Sequence, residues 1–259
     1  MDWQELLRNS TVLENLCLNL TFEEVVELRT ILRLEEINCE IPIIDDDHQV
    51  SSLNKVNSLT IQAYNYIQKY GSDIAMLRAT SENKYQLVQT LLENGADPDA
   101  YDIFFEYTPL MRAAKFGYDN IIELLLNYDA NVDAVDKENI TPLLYAIDEK
   151  KVSTVKLLLE NDADIEDESE IGTPLMAAID KENLEIIAVI LKHSTPEIIN
   201  HRDHKNGTAL MRAAKYGMFS VVKDLVDHGA IKYLTDDNGK TAGSFAEEYF
   251  HFDIANYLE

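Results

Sequence analysis

The stretch "TPLMRAAKFGYDNIIELLL", Thr108–Leu126, is nearly repeated as "TALMRAAKYGMFSVVKDLV", Thr208–Val226. An earlier copy, Ile74–Ala100, lacks the Thr-Pro pair but keeps the rest of the pattern. The same threonine recurs between and after the two long copies, at Thr108, Thr141, Thr173, Thr208 and Thr241, in steps of 33, 32, 35 and 33 residues. Self-similarity at a period of this length predicts a repeat array whose units share one core.

Each copy carries the signals of two helices joined by a turn. Thr108 can cap the first helix, and Pro109 suits its first position because the missing N–H is not needed there. The small Ala113 and Ala114 allow neighbouring helix pairs to approach closely. The triplet Leu124–Leu126 supplies the apolar stripe of the second helix. Residues that tolerate a left-handed backbone then end that helix: Gly95, Asp129, Asp162 and Gly229.

A period of 33 residues with T-P-L, A-A, L-L-L and G-A-D resembles the ankyrin repeat, over about residues 72–259. The resemblance implies an all-α solenoid of about five to six helix-turn-helix units with short β-turn tips. We expect units near 71–103, 104–136, 137–168, 169–203 and 204–236, with a polar cap at 237–259. The histidine that usually follows T-P-L in this family is replaced by Met111, Leu144, Met176, Met211 and Ser244.

Residues 1–70 do not follow the period. Thr21 and Glu24 form a capping-box pattern at the start of a segment with helical spacing of apolar residues. A second helical segment ends near Gly71. We expect a helical N-terminal capping region that covers the open face of the first repeat. A separate small helical interaction domain is the alternative.

The composition excludes several classes of partner. The 259 residues include 47 acidic and 22 basic side chains, which gives a net charge of −25. Binding to nucleic acid or to an anionic membrane requires clustered Lys and Arg, so neither is expected. No apolar run reaches membrane-spanning length, and the two cysteines, Cys17 and Cys39, suggest no disulfide framework. We expect a cytoplasmic protein, by default a monomer, that attracts basic partners.

No pattern of residues predicts catalysis or a cofactor. The sequence has no phosphate-binding glycine loop, no G-x-S-x-G and no HExxH. His201 and His204 lie three residues apart, but in a predicted turn, so we expect solvated side chains instead of a metal site. The acidic run at residues 162–170 is either a solvated turn or a patch that meets a basic partner. We therefore expect a protein that is not an enzyme and needs no metal or cofactor.

The tip before Thr108 differs from the other predicted tips. It reads "YDIFFEY", is one residue longer than its neighbours and is rich in aromatic residues, whereas the other tips are polar. Ankyrin arrays usually bind partners with their tips and the exposed side of the first helices, and aromatics are enriched in binding hot spots. We therefore expect Tyr101, Phe104, Phe105 and Tyr107 to contact a protein partner. The alternative is a local cluster that packs on the neighbouring tip.

The two residues that end each first helix should also line the groove. They are Lys115–Phe116, Asp148–Glu149, Asp180–Lys181, Lys215–Tyr216 and Glu248–Tyr249. We expect a groove that is acidic in the middle and has a Lys–aromatic pair on each side. The alternative is that the pairs are repeat residues kept from duplication. The arginines that precede the small alanines, Arg78, Arg112 and Arg212, are expected to bridge to acids of the next unit.

These features favour a non-enzymatic scaffold that captures one protein partner in the concave groove. A more specific alternative is an acidic inhibitor of the immunity or antitoxin type, which would cover a basic toxin or nuclease. A further alternative is a microbial ankyrin effector or adaptor that is delivered into a host cytoplasm. The sequence does not identify the partner.

Overall fold

The computed structural model describes residues 63, 67, 71–102, 104–166 and 172–259. The predicted N-terminal capping region therefore lies outside the described residues, except for Ala63 and Ile67. Both are helical. Ala63 is buried in the core, and Ile67 packs against it. Residues 167–170 of the acidic run also lie outside the described part of the chain.

The described residues form thirteen helices and no β-strand, which confirms the all-α prediction. Twelve of them make six helix-turn-helix pairs. In chain order the helices are α1 Ser72–Ser81, α2 Tyr85–Glu93, α3 Pro109–Phe116, α4 Asp119–Asn127, α5 Pro142–Asp148, α6 Val152–Glu160, α7 Pro174–Asp180, α8 Leu184–His193, α9 Pro196–Ile199, α10 Ala209–Lys215, α11 Phe219–Asp227, α12 Ala242–Glu248 and α13 Phe252–Leu258.

The first helices of successive pairs stack in one layer, α1, α3, α5, α7, α10 and α12, and the second helices stack in another. One apolar core runs through the stack, from Ala63 to Leu258. Ala113 and Ala114 are fully buried, as are Ala213 and Ala214, which is the close approach that their small side chains predict. No pair could bury its apolar residues without its neighbours, so each pair depends on the next.

The repeated threonines cap the first helices as predicted. The side-chain oxygen of Thr108 accepts a hydrogen bond from the Met111 backbone N–H at 3.2 Å, and the backbone N–H of Thr108 donates to the Met111 sulfur at 3.5 Å. The side-chain oxygens of the other four repeated threonines accept the equivalent backbone N–H hydrogen bond. The predicted left-handed residues also have positive φ, at Gly95, Asp129, Asp162 and Gly229.

The 35-residue step has a structural cause that the sequence analysis did not predict. A short extra helix, α9, is capped by Thr195 and separates α8 from the next tip. Asn200 follows it and joins two units. Its amide donates to the carbonyls of Pro196 and Gly229 at 2.7 and 2.9 Å, and its carbonyl accepts from the Ile231 N–H at 2.8 Å.

Elsewhere an aspartate takes the place of Asn200. Asp99 accepts a hydrogen bond from the Asn131 N–H at 2.9 Å, and Asp133 accepts one from the Asp164 N–H at 2.8 Å. Side chains at this position therefore connect the loops of consecutive units.

We predict that Asn200→Ala lowers the free energy of unfolding by about 2 kcal/mol, because it leaves groups of two units without their hydrogen-bond partner. Asn161→Ala is the matched control. Asn161 donates only within its own unit, to the Leu157 carbonyl at 2.8 Å, and is exposed. We expect it to cost less than about 0.5 kcal/mol. Urea denaturation measures both, and equal losses would contradict the bridging role of Asn200.

Candidate partner-binding surface

Four of the tips are turns that the structure describes, and one aspartate organises each of them. The carboxylate of Asp102 accepts hydrogen bonds from the backbone N–H groups of Phe104, Phe105 and Tyr107 at 3.1, 2.8 and 3.3 Å. The equivalent carboxylates, which bind their own turns in the same way, are Asp136, Asp203 and Asp236. A side chain that accepts several local N–H groups fixes the backbone of a turn.

Hydrogen bonds join two pairs of neighbouring tips. The backbone N–H of Lys137 donates to the Phe105 carbonyl at 3.2 Å, and the Lys137 ammonium donates to the Phe104 carbonyl at 2.7 Å. At the other end of the array, the Asp237 N–H donates to the Lys205 carbonyl at 3.1 Å. The two bonds from Lys137 hold the backbone of the aromatic tip and use none of its aromatic side chains.

The aromatic side chains of the first tip are largely exposed. The exposed fractions of Tyr101, Phe104 and Phe105 are 54%, 73% and 60%. Tyr107 is half-buried, with its ring 5.6 Å from the Phe105 ring and 5.4 Å from the Tyr145 ring of the next unit. Packing on the neighbouring unit therefore accounts for Tyr107. It does not bury the other three rings.

Tyr145 is a groove residue that the sequence analysis did not single out. Its hydroxyl donates to Asp136 at 2.6 Å, and the Lys115 ammonium lies 5.6 Å from the centre of its ring. Burial, together with the hydrogen bond to Asp136, raises the pKa of Tyr145 well above its ordinary range. Tyr145 occupies the position that Arg112 and Arg212 occupy in their own repeats. This substitution within the repeat is the feature of the sequence that could have identified Tyr145 as a groove residue.

In the middle of the groove, acids and bases of adjacent units form ion pairs. Asp148 pairs with Lys181, and Asp180 pairs with Arg212, which also contacts Asp203 at 2.9 Å. Glu149, beside Asp148, is exposed. The acids that the sequence places in the middle are thus present, but the charges of Asp148 and Asp180 are balanced by partners inside the groove.

The arginines differ from the prediction that they bridge to the next unit. Arg212 does bridge two units, but its partner Asp180 belongs to the preceding one. Arg112 lies 3.6 Å from Asp102 of its own tip. Arg78 pairs at 2.8 Å with Glu82, the residue that caps the end of its own helix. Arg112 and Arg212 thus each contact the aspartate of their own tip, which lies closer along the chain. The prediction had assigned them acids of the next unit.

The two predicted Lys–aromatic pairs are not alike. The Lys215 ammonium lies 5.7 Å from the Tyr216 ring and 5.5 Å from the Tyr249 ring, so this lysine contacts both aromatics. Burial, followed by the charge of Asp180, raises the pKa of Tyr216. Phe116 instead stacks on Tyr118 at 5.5 Å, while its neighbour Lys115 turns to Tyr145.

Stacked helix pairs with projecting, mutually bonded turns define a solenoid repeat protein. The family described as "Ankyrin repeats (3 copies)" matches residues 76–169 and 175–258. The chain therefore belongs to the ankyrin repeat family, whose repeats mediate protein–protein interactions. The structure titled "Crystal Structure of EF0377 an Ankyrin Repeat Protein" superposes with a TM-score of 0.64 and 22% identity, over 71% of this chain and 95% of that one. At this level of identity the match supports the assignment of the fold alone.

Several of the similar proteins come from viruses. "Putative ankyrin repeat protein L371" of Acanthamoeba polyphaga mimivirus is 24% identical over 76% of this chain, and "Putative ankyrin repeat protein R664" of the same virus is 30% identical over 53%. "Putative ankyrin repeat protein FPV244" of Fowlpox virus is 29% identical over 40%. The chain spans 26% of L371, 67% of R664 and 15% of FPV244.

Two features are absent from the part of the chain that the structure describes. It has no helix that is long and apolar enough to cross a membrane. It also has no group of three or more His, Cys, Asp or Glu side chains that could hold a metal ion. His201 and His204 lie in the turn before Thr208, as predicted.

We predict that Arg212→Ala destabilises the fold by about 2 kcal/mol at pH 7, because it removes the shared partner of Asp180 and Asp203. Burial alone would raise the pKa of Asp203, but hydrogen bonds from Arg212 and from backbone N–H groups lower it below the ordinary 3.8. The stabilisation is therefore complete above pH 3.8 and is lost as the pH falls through the lower, folded-state pKa.

The loss caused by Arg212→Ala should accordingly shrink below pH 3.8. Arg202→Ala is the control, because the Arg202 guanidinium donates to the uncharged Thr235 carbonyl. Its effect should not change with pH in the same range. Urea denaturation between pH 3 and pH 7 measures both variants. The same pH dependence for the two would contradict the assignment.

Proposed function

We propose that the array binds one protein partner through a surface that starts at the aromatic tip, Tyr101–Tyr107, and continues along the groove. The observation that carries the proposal is the exposure of Tyr101, Phe104 and Phe105 on a tip that does not need them for its structure. Large exposed aromatics are typical of binding hot spots.

The rigidity of the tip supports the proposal. Asp102 fixes the backbone, and Lys137 joins it to the next unit. Aromatic side chains also have few rotatable bonds. Binding through such a tip therefore requires little ordering, and more of the contact energy contributes to affinity.

The groove would extend the contact beyond the tip. Its helix ends offer Lys115, Phe116, Lys215 and Tyr216 on either side of Asp148, Glu149, Asp180 and Lys181. The ion pairs of the middle leave few unbalanced charges there. We therefore propose that apolar contacts at the tip supply most of the affinity, while the net charge of −25 favours the approach of a partner with a basic surface.

The test is affinity purification of the tagged full chain, with mass spectrometry, from the cells that naturally contain it. We predict that Phe104→Ala/Phe105→Ala reduces recovery of the main partner at least tenfold, since two hot-spot rings are lost. Tyr233→Ala is the control, because Tyr233 is also exposed but lies outside this surface. Unchanged recovery with the double variant would remove the aromatic tip from the proposal.

A more specific candidate is action inside a host cell. The similarity to proteins of mimivirus and Fowlpox virus supports an ankyrin adaptor that works in a host cytoplasm. The recovered partner distinguishes this candidate from an acidic inhibitor of a basic toxin or nuclease. An inhibitor should associate more slowly with its basic partner as salt is raised, and an association rate independent of salt would contradict that version.

A further inference from the structure

One position near the end of the first helices connects successive units across the groove. It stands two residues before the residue of positive φ in the turn that joins the two helices of a unit. In four units its side chain contacts the next unit: Lys115 lies against the Tyr145 ring, Asp148 pairs with Lys181, Asp180 pairs with Arg212, and Lys215 lies against the Tyr249 ring. We call this position the bridging position.

The first unit has Ser81 at the bridging position. Asn83, two residues later, has a φ of 53°, and Glu182, two residues after Asp180, has a φ of 52°. Ser81 therefore corresponds to Asp180. The Ser81 hydroxyl donates to the Leu77 carbonyl of its own helix at 2.8 Å, so the first unit supplies no charged side chain from this position.

The missing charge concerns Arg112, which corresponds to Arg212 three units later. Arg212 pairs with Asp180 and also lies 2.9 Å from Asp203 of its own tip. Among the described residues, Arg112 has an ion pair only with its tip aspartate, at 3.6 Å, and its buried Nε has no hydrogen-bond partner. The Arg112 side chain is also 32% exposed, against 19% for Arg212. Arg112 therefore lacks the carboxylate that completes the contacts of Arg212.

The groove is basic around this arginine. Residues 78–84 and 112–118 contain four basic side chains and one acidic side chain, although the whole chain has a net charge of −25. The four bases are Arg78, Lys84, Arg112 and Lys115. The single acid, Glu82, pairs with the first two, and Lys115 has no ion pair within the described part of the chain. The local potential therefore favours an anion.

Arg112 also adjoins the aromatic tip. Its guanidinium carbon lies 5.4 Å from the centre of the Tyr107 ring, and that ring stacks on the Phe105 ring at 5.6 Å. A segment that covers these rings therefore passes beside Arg112. An acidic residue next to an apolar one would contact the guanidinium and the rings together.

We propose that an Asp or Glu side chain of the partner binds Arg112, at the place that Asp180 takes beside Arg212. The inference rests on the proposed function, because it specifies the chemistry of the segment that the same surface receives. A guanidinium offers paired N–H donors that match a carboxylate, and the fifth unit uses a carboxylate at this place. The net charge of the chain acts on the whole partner at long range, whereas this contact concerns one side chain.

Ser81→Asp tests the proposal because it supplies the missing carboxylate from within the chain. Asp180 is the last residue of α7, as Ser81 is the last residue of α1, so the fold accepts an aspartate at this position. We expect Ser81→Asp to have a thermal midpoint about 2 °C above that of Ser81→Asn, its uncharged control. Combined with Arg112→Gln, the two substitutions should give equal midpoints.

Binding is measured by nuclear magnetic resonance of the full chain labelled with nitrogen-15, with the peptide acetyl-Leu-Asp-Leu-amide as the probe. We expect it to shift the Nε–H resonance of Arg112 at least about threefold more than acetyl-Leu-Asn-Leu-amide does at the same concentration. The Arg212 resonance is the internal control and should not move, because Asp180 already occupies its place. Ser81→Asp should reduce the Arg112 response at least about threefold, and Ser81→Asn should preserve it.

Three results would overturn the proposal: equal shifts with the two peptides, an equal shift of the Arg212 resonance, or equal midpoints for Ser81→Asp and Ser81→Asn. Recovery of the main partner by affinity purification separates this proposal from the proposed function. We expect Arg112→Gln to reduce recovery about fivefold. Full recovery with Arg112→Gln, together with a loss in Phe104→Ala/Phe105→Ala, would remove the carboxylate site and keep the aromatic tip. Full recovery with both variants would remove both proposals.

Discussion

Every other feature of this chain depends on the apolar contact between successive helix pairs. A pair such as α3 and α4 is buried on both sides, and its alanines allow the neighbouring first helices to approach. The core is therefore one continuous layer that extends from unit to unit, and no single unit contains it. Because each unit needs its neighbours, the positions between units are constrained, whereas tips and helix ends are free to vary.

Polar contacts also join successive units. Asp99, Asp133 and Asn200 each bind a backbone group of the next unit's loop, and Arg212 joins Asp180 to Asp203 across two units. These contacts fix the spacing and orientation of the units. Some surface segments, such as the aromatic tip, differ in sequence from the same segment of the other units. These contacts hold such segments in a defined geometry, although the segments do not contribute to the core.

The sequence predicts the fold well because the period, the threonine caps and the left-handed turn residues are local signals. It predicts less of the surface. The extra helix α9 lies within the 35-residue step and has no counterpart among the other described helix pairs. Tyr145 takes the position that an arginine occupies in two other units, and this substitution alone does not indicate its contacts with Asp136 and Lys115. Whether Arg212 pairs with the preceding or the following unit depends on where two helices place their side chains, and spacing along the chain does not determine this.

The central claim is that the aromatic tip serves binding and not folding. The most direct measurement is the thermal midpoint of a chain in which the tip "DIFFEY", 102–107, is replaced by "DKENI", the tip at 136–140. The replacement keeps the turn-forming aspartate, removes Phe104 and Phe105, and puts isoleucine in place of the half-buried Tyr107. We predict a midpoint within about 2 °C of the wild type, and a fall of more than about 6 °C would contradict the claim.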